Sequence, residues 1–385
     1  MTPRLLPLLA SALLLGAGPV LAQEPPPATA AVRQAVEIPL ILDGVHILVD
    51  GVRVNGQGPY RFLLDTGAQG PGRADAALVT ELGLPRAGSV GASDGGGGAV
   101  RELPLHRVDL LELGPLRFES LDLVSRDYNS GGGRPGAIAG VLGIDLFHGV
   151  LLTIDYGRSV LRIEPGSLPE ADGLTVFALD PDRPIPTVDV TLAGRTLAFH
   201  IDTGSMGGIT VGQAFADGLA FTGPLAVVGQ ARTVSGAFEV KQGVVEGDFV
   251  LGSIRLPGPT VSVMPHFQRG NLGGDFLRAY AITLDMANRR VRLVPAAGGG
   301  APAPRRYGFM MAPPRPGQAE LELAAVAPGS PAETAGLRAG DRITALNGTR
   351  VADLGESLPR LMRESPLVVT YVRDGETRDI TLTLD

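Results

Sequence analysis

Apolar and polar positions alternate along this chain in short runs that break at Gly, Pro, Asn and Asp, which predicts β-strands joined by tight turns. Two stretches share one pattern. In the first, Val52-Arg53-Val54 leads through Asn55-Gly56 to Tyr60-Arg61-Phe62 and the apolar run Phe62-Leu63-Leu64. In the second, Val190-Thr191-Leu192 leads through Ala193-Gly194 to Leu197-Ala198-Phe199 and the run Phe199-His200-Ile201. Each reads as a hairpin delivering a strand, and each strand ends in Asp-Thr-Gly, at Asp65-Thr66-Gly67 and Asp202-Thr203-Gly204.

The repeat extends well beyond these tripeptides. A short helical pattern follows each, over Asp75–Leu84 and Val211–Ala220. Gly-rich hairpin regions come next, Gly88–Val100 and Val228–Phe238, then the matching strand pairs Glu112–Phe118 and Val250–Leu256. The blocks close alike, with Gly140–Asp145 against Gly270–Asp275, Leu152–Asp155 against Ile282–Asp285, and Val160–Ile163 against Val291–Leu293. The motif offset is 202 − 65 = 137 and the closing offset is 275 − 145 = 130, so the copies differ by a few loop residues. The expected organisation is a leader (1–22), a linker (23–34), two related lobes (35–173 and 174–296), a Gly/Ala/Pro linker (297–304) and a smaller C-terminal unit (305–385).

Composition sharpens this picture. Gly 54 and Pro 32 in 385 residues favour turns over long helices. A net charge of −7 argues against a nucleic-acid partner. The chain has no cysteine, which excludes disulfides and thiol catalysis. The five histidines, His46, His106, His148, His200 and His266, lack the i, i+4 spacing of a helical zinc site, and no metal or other cofactor is expected. Residues 1–22 carry Arg4, the apolar stretch Leu5–Leu15 and the small-residue end Val20-Leu21-Ala22. This pattern predicts a cleaved secretory signal and a mature protein without a membrane span, placed in the periplasm or outside the cell.

Two carboxyls brought together share one proton and can activate water, one as base and the other as acid. On the duplicated Asp-Thr-Gly, with its later hydrophobic-hydrophobic-Gly segment, the chain resembles the pepsin/retropepsin superfamily of aspartic peptidases. It looks closest to bacterial secreted members with two retropepsin-like lobes and a PDZ domain. The resemblance implies a mainly β, bilobal fold followed by a small α+β PDZ domain. It implies an endopeptidase with Asp65 and Asp202 as the catalytic dyad, cross-lobe bonds from Thr66 and Thr203, and turns held by Gly67 and Gly204. Val141-Leu142-Gly143 fits the threading segment, whereas Asn271-Leu272-Gly273 departs from it at its first position.

Ala68 and Ser205 follow the two motifs, and Ser205 is expected to donate to Asp202 and favour its ionised form. His200 is read as a structural residue, with tuning of the dyad as the alternative. Ala92–Gly98 falls where the family has a flap, with a disordered surface loop as the alternative; the second tip is expected near Val234-Ser235-Gly236, and neither region holds the family's flap Tyr. Asp145 and Asp275 read as helix N-caps, and Asp155 and Asp285 as turn residues.

In the C-terminal unit, Gly329–Leu337 followed by Ala339–Ile343 resembles bacterial PDZ sequences. There Tyr307-Gly308-Phe309-Met310 would receive a peptide's terminal carboxylate, beside a helix near Leu358–Met362. Expected partners are peptide or protein substrates and a C-terminal peptide ligand, with the chain acting as a monomer; the alternative role for the C-terminal unit is to pack on the lobes or regulate access to them. The competing reading is a non-catalytic protein that holds peptides in a peptidase-like cleft.

Overall fold

The computed structural model describes residues 32–384, apart from 44, 93–100, 130–137, 234–235, 266, 298–306, 312–318, 327–329, 355–360 and 363. The expected leader and most of both flap tips, of the second linker and of the expected groove helix near 358–362 lie outside the described residues.

Two sheets repeat one strand order. In the first, Gln57–Asp65 carries Asp65 and is followed across the sheet by Gly140–Gly143, Gly72–Asp75, Leu116–Arg126, Arg101–Leu113 and Arg86–Ala92. In the second, Arg195–Ile201 leads to Asp202 and is followed by Gly270–Leu272, Ile209–Gly212, Thr260–Met264, Gly236–Val244 and Ala226–Thr233. The alternation read from sequence is visible in the burial: in Thr187–Leu192 the side chains of Val188, Val190 and Leu192 enter the core while Asp189 faces water.

A third, six-stranded sheet joins the copies. Leu151–Asp155 of the first block pairs antiparallel with Tyr280–Asp285 of the second, aligning Leu152 with Leu284 and Thr153 with Thr283. The Thr153 and Thr283 hydroxyls meet at 2.9 Å, which marks the approximate two-fold axis relating the blocks. The buried apolar side chains of both blocks form one continuous core, so neither closes its interior alone. The C-terminal unit has its own five-strand path, Phe309–Met311, Leu321–Val326, Arg342–Leu346, Leu367–Arg373 and Glu376–Leu382, and its own core around Tyr307, Leu323, Leu346 and Val369.

The two predicted helices differ in outcome. Ala76–Leu82 forms with Asp75 capping the Ala77 N–H and Gly83 closing it in the left-handed region. Its counterpart shortens to Gln213–Ala216. That helix starts at Gly212, which has no side chain to cap it, and Arg195 Nη1 takes the Phe215 carbonyl at 3.0 Å.

Candidate active site

Each Asp-Thr-Gly sits at the end of a strand held from behind by a parallel neighbour. Leu64 aligns with Leu142 and Asp65 with Gly143, while Ile201 aligns with Leu272 in the second copy. Gly143 and Gly273, rather than Asp145 and Asp275, occupy the N-cap positions of the short helices that follow. The two acids fall in the first turn instead, and from there Asp145 Oδ2 accepts the Gly70 N–H at 3.0 Å. This ties the loop after Asp65 to the helix behind it, and burial raises the Asp145 carboxyl above its ordinary range. Asp155 and Asp285 close turns, accepting from the N–H groups of Arg158 and Asn288.

Thr66 and Thr203 are fully buried and bind reciprocally across the axis. The Thr66 N–H donates to Thr203 Oγ1 at 3.0 Å, and the Thr203 N–H donates to Thr66 Oγ1 at 3.1 Å. Each hydroxyl in turn donates to a carbonyl of the opposite strand, Thr66 to Ile201 at 2.6 Å and Thr203 to Leu64 at 3.0 Å. Serine could supply the same groups; the β-branched methyl stiffens the rotamer that points them across the axis.

This lock brings the aspartates face to face. Gly67 N–H donates to Asp65 Oδ1 at 2.8 Å and Gly204 N–H to Asp202 Oδ1 at 3.0 Å. A Cβ on Gly204 would lie 2.3 Å from Asp65 Cγ, and one on Gly67 would lie 2.6 Å from Asp202 Oδ1. Only glycine lets each loop pass this close to the opposite carboxyl. The Asp202 carboxyl is pushed up from 3.8 to about 7, first by burial and then by the charge of Asp65 beside it. One proton shared between two close carboxyls has this physical origin.

Ala68 and Ser205 follow in equivalent turns, their N–H groups donating to the carbonyls of Asp65 and Asp202. Ala68 packs in an apolar cluster with Leu48, Leu63 and Val141. The expected bond from Ser205 to the Asp202 carboxylate is not formed. The Ser205 hydroxyl lies toward Gly273, and the side-chain donor to Asp202 is Asn271, whose Nδ2 reaches Oδ2 at 3.1 Å. In the sequence Asn271 stands out only as a break in the threading segment. Its polarity at an apolar position was the signal. His200 contacts Thr187 Oγ1 through Nδ1 at 2.9 Å, and burial lowers its pKa to about 4, so it is neutral across most of the pH range.

In the C-terminal unit, Tyr307 is buried, stacks on Phe309 at 6.2 Å between centroids, and its hydroxyl donates to the Glu364 carbonyl. Gly308 has φ +77° and passes so close to Ser330 that a Cβ would collide with its side chain. Phe309–Met311 begins the sheet, paired with Leu321–Val326 on one side. The hairpin strand Ala226–Thr233 of the second lobe lies alongside both of these strands.

Two outcomes follow from this geometry. Thr203→Val strands the buried Thr66 N–H and should lower stability by about 1–3 kcal/mol for that group alone, read by urea unfolding. The second concerns pH. The unfolded carboxyls release their protons near 3.8, whereas the folded Asp65–Asp202 pair keeps one proton to about 7, so the native state holds more protons between these values. Stability should therefore fall as pH rises through that window. Asp202→Asn should flatten this fall when unfolding midpoints are compared across the same range; an equal slope in both proteins would contradict the assigned shift.

The comparisons with known families agree with this arrangement. The aspartyl protease family model matches residues 51–146 and again 188–276, so each match contains one Asp-Thr-Gly. The PDZ domain model matches residues 322–373, which begins after Tyr307–Met310. No curated protein matches the chain. The two lobes belong to the aspartyl protease family, and the unit that follows them is a PDZ domain.

Proposed function

We propose that this protein is an aspartic endopeptidase whose single chain builds its own dyad from Asp65 and Asp202. The observation carrying this reading is the mutual approach of the two carboxyls, with the Asp202 carboxyl raised to about 7 by burial and by Asp65. A pair in this state holds one proton and one negative charge over a broad pH range.

The chemistry follows from that single proton. The ionised carboxylate removes a proton from a water molecule as its oxygen attacks the peptide carbonyl carbon. The protonated partner gives its proton to the carbonyl oxygen, so the tetrahedral intermediate is a neutral gem-diol. Collapse breaks the C–N bond: a gem-diol hydroxyl gives its proton to the now ionised carboxylate, and the leaving nitrogen takes the proton its partner removed from water, so an amine departs and the dyad again holds one proton. The Thr66–Thr203 lock and the two glycine N–H groups keep both carboxyls in place through these transfers. In this reading the hairpins Arg86–Ala92 with Arg101–Leu113, and Ala226–Thr233 with Gly236–Val244, act as closing arms over a bound peptide.

The PDZ domain supplies a second peptide contact. In this reading Tyr307, Gly308, Phe309 and Met310 form the turn that receives a terminal carboxylate, and the strand Phe309–Met311 accepts the peptide by strand addition. The positive φ of Gly308 and the burial of Tyr307 beneath the turn support this role.

Asp65→Asn and Asp202→Asn should each lower peptide cleavage by at least about 10²–10⁴-fold while the protein remains folded. Specific activity of the wild type should not change on dilution, because both aspartates come from one chain. Undiminished cleavage in both variants would remove the dyad. Peptide binding with no cleavage by the wild type would favour a non-catalytic holder of peptides. For the PDZ domain, a peptide with a free C-terminus should bind more tightly than its C-terminal amide in a fluorescence titration; equal binding would exclude carboxylate capture.

A further inference from the structure

A row of polar side chains crosses one face of the second lobe. Strand register aligns Thr187 with His200, His200 with Asn271, Asn271 with Thr210, Thr210 with Ser262, and Ser262 with Gln242. Thr187 bonds His200, and Gln242 Nε2 donates to Ser262 Oγ at 2.9 Å. The first lobe aligns Leu48, Leu63, Val141, Arg73, Val124 and Leu105 across the same strands. There the positions nearest the motif, Leu48, Leu63 and Val141, pack as an apolar cluster with Ala68. The lobes thus share a backbone but differ in the chemistry beside each aspartate.

Asn271 is the member of this row that touches the dyad. It is only 3% exposed. Its Nδ2 donates to Asp202 Oδ2, while its own Oδ1 is buried and accepts no hydrogen bond from a described residue. An unpaired buried carbonyl is costly, and the valine at the corresponding position, Val141, carries no such cost. A residue kept for packing alone gains nothing from the amide. The donated bond to Asp202 is what the amide adds, and it favours a carboxylate over a carboxylic acid.

Resting on the peptidase reading above, we propose that Asn271 is a positioning residue that stabilises the ionised form of Asp202, so that Asp202 is the base of the dyad and Asp65 carries its proton. Both oxygens of Asp202 then receive a donor, Oδ1 from Gly204 and Oδ2 from Asn271. The value near 7 belongs to the pair, as the loss of its last proton, and these donors put that proton on Asp65. The ionisable groups around this pair are Asp65 across the axis, His200 on the adjoining strand, and Tyr156, whose buried hydroxyl is raised well above its ordinary value with Arg278 near it. Arg269 and Arg183 act on His200. Of these, His200 titrates in acid beside the pair, and it therefore needs its own control.

The test is the pH dependence of kcat/KM for peptide cleavage. Loss of the donor makes the first ionisation of the dyad harder. In Asn271→Val the acidic limb should move up by about one pH unit, the basic limb less. The same shift should appear when Asn271→Val is made on a His200→Gln background. Thermal unfolding establishes that the variant is folded, and Asn271→Ala replaces it if it is not. An unmoved acidic limb in a folded variant overturns the proposal, as does a shift that disappears with His200→Gln. A turnover-independent arm uses carboxyl ¹³C NMR titration, with the Asp202 resonance identified by its loss in Asp202→Asn. Asp202 should ionise at lower pH in the wild type than in Asn271→Val; identical titration overturns the role of Asn271 even if no peptide is cut. Normal titration shifts with no cleavage by the wild type would instead count against the peptidase reading alone.

Discussion

Four hydrogen bonds between Thr66, Thr203 and the strands facing them hold the two lobes in the relation that brings Asp65 and Asp202 together. They form in a fully buried site, where an unmade bond is expensive and an alternative partner in water is absent. The reciprocity matters as much as the number. Each threonine satisfies the other's N–H and a carbonyl of the other's strand, so neither lobe can shift without breaking bonds on both. The six-stranded sheet beneath, centred on Thr153 and Thr283, repeats the constraint on a larger scale.

Rigidity at the axis is what permits electrostatic tension there. Two carboxyls pressed together in a buried site repel one another when both are ionised, and a loose frame would let them separate. Here the lock, the close passage of Gly67 and Gly204, and the brace from Asp145 to the Gly70 N–H keep them in place. The strain appears instead as one proton that the pair retains to about pH 7. Stability is thereby given up at neutral pH in exchange for a shared proton, and the continuous core of the two lobes supports that loss.

Much of the architecture could be read along the chain. The duplicated order of hairpin, Asp-Thr-Gly, helix pattern, Gly-rich hairpin and Leu-Gly segment predicts two lobes of one strand order, and the two sheets have it. Their identity as aspartyl protease lobes, and that of the PDZ domain, were also legible. Local detail was less so. The second helix is shorter than its pattern, and Arg195, distant in sequence, donates to its Phe215 carbonyl. Ser205 looked like the donor to Asp202 because it is three residues away, yet its hydroxyl lies toward Gly273. Asn271, sixty-nine residues on, is the donor.

The chain by itself determined which residue types recur, in what order and at what spacing, because strand alternation and turn chemistry are local properties. It thereby specified two strands ending in aspartate and a glycine behind each. Only the tertiary structure decided what stands beside those aspartates. Register across the sheet sets Asn271 next to Asp202 and Val141 in the matching place beside the other strand, and register depends on pairings between distant segments. The difference between the two acids is for that reason a property of the folded lobes rather than of either Asp-Thr-Gly.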